Sequence, residues 1–233
     1  MGTEKLILIS DVHATLPALE AVTADIAARG LASAPVCFLG DAVNMGPFPA
    51  ETLAALRALS PAFRVRGNHD RYIASGTPRP ELEKYFHCAE GADHTAWTAA
   101  ALDGEARAWL GAAPASLGFK LGGAEFRCFH ASEESDEVPF SAGAGAPNVL
   151  CGHIHSPYVK TAAGGLAVNP GSVGSPLDGN PAASYAVISV NGRVSAEIVR
   201  VPYDLAAFSA ALAARAVPWG SVIGGVVRKA SLF

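Results

Sequence analysis

The stretch KLILISDVH, residues Lys5–His13, decides the fold of this chain. It begins as a short apolar run, as expected of a buried strand, and ends in polar residues. The same pattern returns in VCFLGD, residues Val36–Asp41, and in FRVRGNHD, residues Phe63–Asp70. Between these runs lie two segments of helical composition, Ala18–Arg29 and Ala50–Leu59, each introduced by a proline. This alternation of strands and helices predicts a parallel sheet with right-handed crossovers.

The second half of the chain changes from helical to strand-like composition. Glu90–Leu110 predicts a helix that Gly104 divides in two, and Asp204–Arg215 predicts a closing helix. Asn191-Gly192 predicts a type I′ hairpin, and residues 131–147 predict a flexible surface loop. We therefore predict one α/β domain over residues 1–233, with a first parallel sheet and a second, more antiparallel one. The predicted strands are Lys5–Ile9, Val36–Leu39, Phe63–Val65, Leu117–Leu121, Glu125–Phe129, Val149–Cys151, Tyr158–Lys160, Ala183–Val190 and Val194–Val201.

The composition excludes several classes of protein. Half of the residues are apolar and 16% are charged, so the chain can bury a large core, and the composition favours a folded chain over a disordered one. The formal charge is −4, from 17 basic and 21 acidic residues, and no run of Lys or Arg marks a nucleic-acid or membrane surface. No signal peptide and no apolar stretch of about 18 or more residues is evident. We expect a cytoplasmic protein with no membrane partner and no stable nucleic-acid binding.

The four cysteines, Cys37, Cys88, Cys128 and Cys151, are scattered and form no CxxC pair. Three of them lie in apolar, strand-like runs. This placement favours reduced, buried thiols over a disulfide framework. A zinc knuckle would need a different spacing.

Five short motifs rich in His, Asp and Asn follow the predicted strands. Ligands bind at the carboxyl ends of strands in open α/β sheets, so these separate loops are expected to converge at one place. Taken alone, Asp11–His13 and Gly40-Asp41 are more often polar turns, His130 is more often a half-buried histidine, and Gly67–Asp70 is a solvated turn as often as a site. Gly152–His155 is the stronger signal, and the shared placement of all five motifs carries the argument. In order they are Asp11-Val12-His13, Gly40-Asp41, Gly67-Asn68-His69-Asp70, His130 and Gly152-His153-Ile154-His155.

Together the motifs supply enough ligands for two cations. Histidine is the side chain best suited to transition metals, and a carboxylate oxygen is a natural bridge between two of them. Two adjacent metal ions indicate the hydrolysis of phosphate esters. Carboxylates and neutral imidazoles suit Mn²⁺, Fe, Zn²⁺ or Ni²⁺, of which Mn²⁺ is our first expectation.

This ordered set of motifs resembles the calcineurin-like metallophosphoesterase superfamily. The family pattern is DxH, GD, GNH followed by Asp or Glu, a lone His, and GHxH. It matches the chain in order from Asp11 to His155, about two thirds of its length, and Asn169–Gly174 is similar to a further family loop. The resemblance implies an α/β fold, a four-layer α-β-β-α sandwich with two central mixed β-sheets between helices.

The resemblance also implies a role for each motif residue. A hydroxide held between two metal ions would be the nucleophile, His69 would protonate the leaving oxygen, and Asp70 would orient His69. Asp41 would bridge the two ions. The first ion would be held by Asp11, His13, Asp41 and His155, and the second by Asp41, Asn68, His130 and His153.

The chain departs from the family pattern at three places. Ala14-Thr15 stands where Gly-Asn is common, and Ala131 follows the lone histidine in place of Gly. No Asp-Arg-Gly element follows Gly40-Asp41, and Asn44 stands in that region. The last departure argues against close kinship with eukaryotic Ser/Thr phosphatases.

Four further residues keep two interpretations each. Arg66 and Arg71 could clamp a phosphate group, although ordinary surface arginines are the preferred interpretation. His87 and His94 could line a substrate cleft, although ordinary half-exposed histidines are preferred.

The expected activity is hydrolysis of the phosphodiester bond of a small or nucleotide-like phosphoester, because no additional charged clamp for a phosphate dianion is evident. A phosphomonoesterase or phosphoprotein phosphatase with the same centre is the alternative enzyme. A non-catalytic scaffold of the same fold and a hydrolase with one zinc ion are the remaining alternatives. The sequence does not predict the oligomeric state.

Overall fold

The computed structural model describes residues 2–76, 91–141, 148–162 and 164–232. Within these ranges no helix has the length and apolar character that crossing a membrane requires. The described elements are β1 (Glu4–Ile9), α1 (Leu16–Ala28), β2 (Val36–Phe38), α2 (Pro49–Ala58), β3 (Phe63–Arg64), α3 (Asn68–Ser75), α4 (Gly91–Ala100), α5 (Gly104–Gly111), β4 (Ser116–Leu121), β5 (Ala124–Phe129), β6 (Val149–Leu150), β7 (Tyr158–Ala162), β8 (Gly165–Asn169), β9 (Ala183–Val190), β10 (Val194–Val201), α6 (Leu205–Ala214) and α7 (Gly220–Lys229).

The first sheet joins the amino-terminal strands to the last hairpin, in the order β10-β9-β1-β2-β3. Strands β1, β2 and β3 are parallel, as the sequence predicts, but β9 runs antiparallel to both β1 and β10. The prediction of an all-parallel first sheet is therefore wrong. Strand β9 is buried at nearly every position, which suits a central strand, and it pairs with β1 through Ile7 and Val187.

The second sheet has the order β4-β5-β6-β8-β7. Its inner strands β5, β6 and β8 are parallel, and β4 and β7 are antiparallel to their neighbours. Strand β8 was not predicted, because its apolar run is only three residues long and lies between a glycine and an asparagine. Both sheets are thus mixed and flanked by helices, which confirms the fold class that the resemblance implies.

Alternation along β1 divides the core into two parts. Leu6 and Leu8 point between the sheets, where they pack in one cluster with Phe126 of the second sheet. Ile7 points to the other face and packs in the cluster that contains Leu19 of α1. Because both faces of β1 are buried, the position of the polar residues that follow it is closely fixed.

Three cysteines, Cys37, Cys128 and Cys151, are buried free thiols. The prediction of reduced, buried thiols is confirmed for these three. Cys88 and His87 lie outside the described residues.

The β9–β10 hairpin forms, but its turn differs from the predicted type. Val190 pairs with Val194, so residues 191–193 form a three-residue loop in which Gly192 has a φ of 65°. A type I′ turn has a two-residue loop, and the prediction of that turn type is therefore wrong.

The helices differ from the prediction at two places. Helix α3 was not predicted, and α7 was not predicted because Gly220, Gly224 and Gly225 lower its helix propensity. The break near Gly104 is confirmed, and the Asp103 carboxylate caps α5 by accepting a hydrogen bond from the amide of residue 106 (2.7 Å). Residues 131–141 contain no helix or strand, as the loop prediction requires.

Candidate metal centre

The candidate site lies where strand ends from both sheets meet. Asp11 and His13 follow β1, Asp41 follows β2, His130 follows β5, and His155 lies in the loop after β6. Four of these residues have positive backbone φ angles: 54° at Asp11, 49° at His13, 60° at Asp41 and 57° at His155. Residues other than glycine rarely adopt this conformation, and it persists mainly where the surrounding fold enforces it at functional sites.

Gly67 leaves the space that the Asp41 carboxylate occupies. A Cβ atom on Gly67 would lie 2.0 Å from Oδ1 of Asp41, so no other residue type fits. The same Oδ1 accepts a hydrogen bond from the backbone amide of His69 (2.8 Å). The Gly67–Asp70 motif therefore positions Asp41 in addition to supplying side chains of its own.

Asp11, His13 and His155 form one group of potential metal ligands, with their ligand atoms within 4.8 Å of one another. Oδ1 of Asp11 is 3.2 Å from Nε2 of His155 and 3.8 Å from Nε2 of His13. The two ring nitrogens are 3.1 Å apart. This group contains three of the four ligands expected for the first metal ion.

Asp11, Asp41 and His130 form a second such group. Nε2 of His130 is 3.3 Å from Oδ2 of Asp41 and 3.1 Å from Oδ1 of Asn68. Oδ2 of Asp41 is also 3.8 Å from Nε2 of His13. One carboxylate oxygen therefore faces ligands of both groups, which is the arrangement that a bridging role requires.

The hydrogen bonds of two histidines fit a bound cation. Nδ1 of His130 lies 2.7 Å from the Leu39 carbonyl, and Nδ1 of His155 lies 2.6 Å from the Ser175 carbonyl. Because a carbonyl only accepts, each Nδ1 carries a proton, and Nε2 presents a lone pair on the side of the carboxylates when a metal ion takes the place of its proton. Lone pairs and carboxylates repel one another unless a cation lies between them, so the donor set fits metal ions.

Asp11 supports the same conclusion. Its Oδ1 atom is buried and accepts no well-aligned hydrogen bond from the described part of the chain. Burial would raise the pKa of this carboxyl, but the neighbouring His155 and His130 outweigh burial and lower its pKa to about 2. Burial would likewise lower the pKa of His130, but Asp41 and Asp11 outweigh it and raise the pKa to about 10. The two buried carboxylates thus demand positive charge between them.

His153 lies at the edge of the site. Its backbone amide donates to Oδ2 of Asp11 (3.0 Å), and its half-exposed ring lies edge-on to that of His130 at 5.2 Å between ring centroids. Among the described residues, neither of the two ligand groups above includes His153. Its assignment to the second metal ion stays a prediction.

His69 enters the site from the first turn of α3. A ligand nitrogen of its ring lies within 4.8 Å of ligand atoms of His13 and Asp41. Its Nδ1 lies 2.9 Å from Nδ2 of Asn44, whose Oδ1 accepts a hydrogen bond from the Thr98 hydroxyl (3.1 Å). Asn44 stood out in the sequence as a departure from the family pattern. Nothing local marked Thr98, because it lies on α4, far along the chain.

The Asp70 carboxylate accepts three backbone hydrogen bonds, from Asp41 (2.8 Å), Ala42 (2.9 Å) and Gly67 (3.2 Å). Burial and the nearby Asp41 carboxylate raise the pKa of Asp70 to about 7. These contacts join the two loops that carry Asp41 and His69. Asn44 contacts Nδ1 of the His69 ring, and the orienting role that the resemblance implies for Asp70 stays a prediction.

The loop Asn169–Gly174 holds two ligand-bearing loops in place. The Ser172 hydroxyl donates to the Asp11 carbonyl (2.7 Å) and accepts from the amide of Ser175 (2.7 Å). The Asn169 side-chain amide donates to the carbonyl of Gly152 (2.7 Å). The sequence indicated this loop by resemblance but gave it no role, since these contacts join residues far apart in the chain.

The two arginines beside the Gly67–Asp70 motif have partners of their own. Arg71 donates to Asp136 (2.7 and 3.0 Å) and Glu137 (2.6 Å), and Arg66 donates to the carbonyl of Gly111 (3.4 Å). These contacts favour structural roles over a phosphate clamp. His94 is 2% exposed, so the expectation of an ordinary half-exposed histidine is wrong.

Two stacked mixed sheets, with carboxylates and imidazoles gathered at their strand ends, define the metallophosphoesterase class of proteins. Comparison with known families gives the same result. The sequence model of the calcineurin-like phosphoesterase superfamily domain matches residues 5–193. The chain belongs to this superfamily, whose members bind divalent metal ions and hydrolyse phosphate esters.

Three known proteins are similar to the chain over most of its length. An uncharacterized protein of Methanocaldococcus jannaschii, MJ0912, is 30% identical, over 88% of this chain and 90% of its own length. The crystal structure of a metallophosphoesterase from Sphaerobacter thermophilus has a TM-score of 0.79 at 25% identity, over 98% of this chain and all of that one. The hypothetical protein PH1004 of Pyrococcus horikoshii shares the fold, with a TM-score of 0.79 at 20% identity over 96% and 97% of the two chains.

Proposed function

We propose that this chain is a metal-dependent phosphodiesterase with a dinuclear metal centre. The observation that carries the proposal is the position of Asp41, whose Oδ2 atom faces His13 of one ligand group and His130 of the other. A site for one zinc ion would not need a carboxylate shared between two groups of histidines. The same geometry is the reason to prefer an enzyme to a scaffold of this fold.

The proposed ligands divide between the two ions as the motifs do. Two divalent cations, when bound, lower the pKa of water and neutralise charge on the phosphoryl oxygens. The Leu39 and Ser175 carbonyls fix the tautomers of His130 and His155, so that each ring presents a lone pair to its ion. Mn²⁺ is the metal we propose, with Fe, Zn²⁺ and Ni²⁺ as alternatives. The first set is Asp11, His13, Asp41 and His155, and the second is Asp41, Asn68, His130 and His153.

His69 is proposed as the general acid that protonates the leaving oxygen. Asn44 contacts Nδ1 of its ring, and Nε2 is the atom that we propose to transfer the proton. A positioned general acid typically contributes roughly 10²–10⁴-fold to the rate. The contribution is largest for leaving groups that are poor without protonation.

The hydrogen bonds that Arg66 and Arg71 already make favour a diester substrate over a monoester. A terminal phosphate dianion needs an additional cationic clamp, but Arg71 is paired with Asp136 and Glu137, and Arg66 donates to a backbone carbonyl. We therefore propose small or nucleotide-like diesters as substrates. The phosphomonoesterase or phosphoprotein phosphatase remains the second candidate, because the metal centre itself serves both reactions.

The test combines metal analysis with paired substrates. Purified protein loaded with Mn²⁺ is expected to hold two metal ions per chain and to hydrolyse bis(4-nitrophenyl) phosphate faster than 4-nitrophenyl phosphate. Faster turnover of the monoester would reverse the preference. One ion per chain would support the single-zinc hydrolase, and cleavage of neither ester would support the scaffold. Cell fractionation tests the proposed cytoplasmic location.

A further inference from the structure

His94 connects the carboxyl-terminal part of the chain to the loop beside the metal centre. Its ring is buried, with Nε2 2.7 Å from the backbone nitrogen of Met45 and Nδ1 3.1 Å from the carbonyl oxygen of Pro218. An amide N–H only donates and a carbonyl only accepts, so the two contacts define one neutral tautomer. In it, Nδ1 carries the proton and Nε2 accepts from Met45.

The loop that His94 holds is conformationally strained. Asn44 and Met45 have positive φ angles of 74° and 67°, which residues with a Cβ rarely adopt, and which persist only where other contacts fix them. The amide of Gly46 donates to the His13 carbonyl (3.0 Å) and fixes the loop on its metal-site side. The hydrogen bond from the Met45 amide to His94 holds the other side of this loop against α4.

The strained residues Asn44 and Met45 adjoin the proposed general acid, His69. Met45 is the residue after Asn44, and the Asn44 amide lies 2.9 Å from Nδ1 of His69. A shift of the Met45 amide would therefore move the group that holds the His69 ring. A misplacement on the order of 1 Å can cost about 10²-fold in rate even when it begins outside the reacting atoms.

We propose that His94 is a positioning residue for His69, acting through the hydrogen bond to Met45 and the Asn44 amide. The proposal rests on the proposed function of His69 as general acid. His94 does not contact the substrate in this scheme. It transmits the position of the Pro218 segment and α4 to the loop that carries Asn44.

Two substitutions separate the two hydrogen bonds of His94. In His94→Gln, the amide oxygen occupies approximately the place of Nε2 and can still accept from Met45. In His94→Asn, the shorter side chain reaches approximately the place of Nδ1 and can serve Pro218 but not Met45. Leu102→Ala is the control for packing, because it removes a buried side chain from the core cluster that contains Ala42 and Val43 and leaves both hydrogen bonds of His94 in place.

The metal-loaded protein and these variants are compared on two diesters, bis(4-nitrophenyl) phosphate with a good leaving group and diphenyl phosphate with a poor one. His94→Asn is expected to lose about tenfold in kcat on diphenyl phosphate, a part of the general-acid contribution, and less than about twofold on the nitrophenyl ester. His94→Gln is expected to retain the wild-type ratio between the substrates. Metal content stays at the wild-type value in both, and Leu102→Ala changes both rates equally.

Two readouts need no substrate. Hydrogen exchange of the Met45 amide is expected to be slow in the wild type and His94→Gln and faster in His94→Asn. The ring ¹⁵N spectrum of His69 is expected to change in His94→Asn and not in His94→Gln. Equal behaviour of the two variants, or an equal loss on both diesters in His94→Asn, overturns the proposal. If wild-type protein cleaves neither diester, the proposed function fails, and the His69 spectrum still decides whether His94 positions that ring.

Discussion

Nδ2 of the Asn44 side chain lies 2.9 Å from Nδ1 of His69, while Oδ1 of Asn44 accepts a hydrogen bond from the Thr98 hydroxyl (3.1 Å). A hydroxyl can donate or accept, so Thr98 can serve either orientation of the amide. Turned by half a rotation, the amide presents Oδ1 to a protonated Nδ1. In that orientation Oδ1 accepts from Nδ1–H both before and after Nε2 gives up its proton, as a general acid requires.

Substitution of Asn44 is expected to affect the acid step and not the metal ions. Asn44→Leu removes the contact to His69 and should lower kcat on a diester with a poor leaving group by roughly 10²-fold, the lower end of a general acid's contribution. Turnover of a nitrophenyl diester should change little. The measurement is kcat for both substrates with metal content determined in the same samples, and equal losses on the two substrates would contradict the assignment.

Asn44→Asp tests the charge of the same position. A carboxylate accepts a hydrogen bond from Nδ1–H and stabilises the protonated ring. Since a general acid acts only while protonated, the alkaline limb of the pH–rate profile should move to higher pH in this variant. An unchanged limb would show that another group controls it.

The bridging position of Asp41 predicts the loss of both metal ions when its charge is removed. Asp41→Asn keeps the shape of the side chain, but its neutral amide no longer offsets repulsion between two cations. Metal content should fall below one ion per chain after dialysis, with activity falling in proportion. Asp178→Asn, at the surface ion pair with Arg200, is the control. Retention of one full ion in Asp41→Asn would show that Asp41 serves one site only.

Ser172 offers a test of the loop that holds Asp11. Ser172→Ala removes the hydroxyl that donates to the Asp11 carbonyl. It should lower the affinity for the first metal ion about 10–100-fold, as the loss of a hydrogen bond next to a metal ligand typically does. The second ion should be affected less. Ser184→Ala is a matched control, because this hydroxyl is equally buried and bonds to the Pro170 carbonyl of the same loop. Isothermal titration of metal-free protein measures both affinities, and equal effects of the two variants would exclude a specific role for Ser172.

Motifs that are complete within a few residues could be predicted from the sequence. Asp11 and His13, or His153 and His155, are close together in the chain and follow apolar strands, so both their chemistry and their place at a sheet edge were visible. The strands β9 and β10 were predicted with their observed bounds. Their sheet was not, because pairing of β9 with β1 joins segments about 180 residues apart.

Contacts between distant segments account for what the sequence did not show. Thr98 contacts Asn44 from a helix 54 positions away, and His94 contacts both Met45 and Pro218. No local pattern distinguishes these residues from ordinary helix residues. Helix α7 was hidden for another reason: its glycines have low helix propensity, and packing of Ile223 and Val227 against Phe208 stabilises it instead.

The buried His94 predicts a specific acid sensitivity of the fold. Burial lowers its pKa from the ordinary 6.5 to about 4, although the contact with Pro218 acts in the opposite direction. Between these values the unfolded chain binds a proton at this residue and the folded chain does not. The free energy of unfolding therefore decreases as pH falls from 6.5 to 4, by about 3 kcal/mol over the whole range. Above pH 6.5, His94 adds no pH dependence to it.

His94→Gln removes this proton binding from both states while keeping the hydrogen bond to Met45. The difference in unfolding free energy between wild type and variant should therefore be constant above about pH 7 and should change in favour of the variant toward pH 4. Urea unfolding across this range measures it, with a chelator present so that metal release does not contribute. Other titrating groups, including His13, whose pKa burial lowers to about 4, are common to both proteins and cancel in the difference. A difference that does not vary with pH would mean that His94 is protonated alike in the folded and unfolded chains, and the neutral tautomer bound to Met45 and Pro218 would then be wrong.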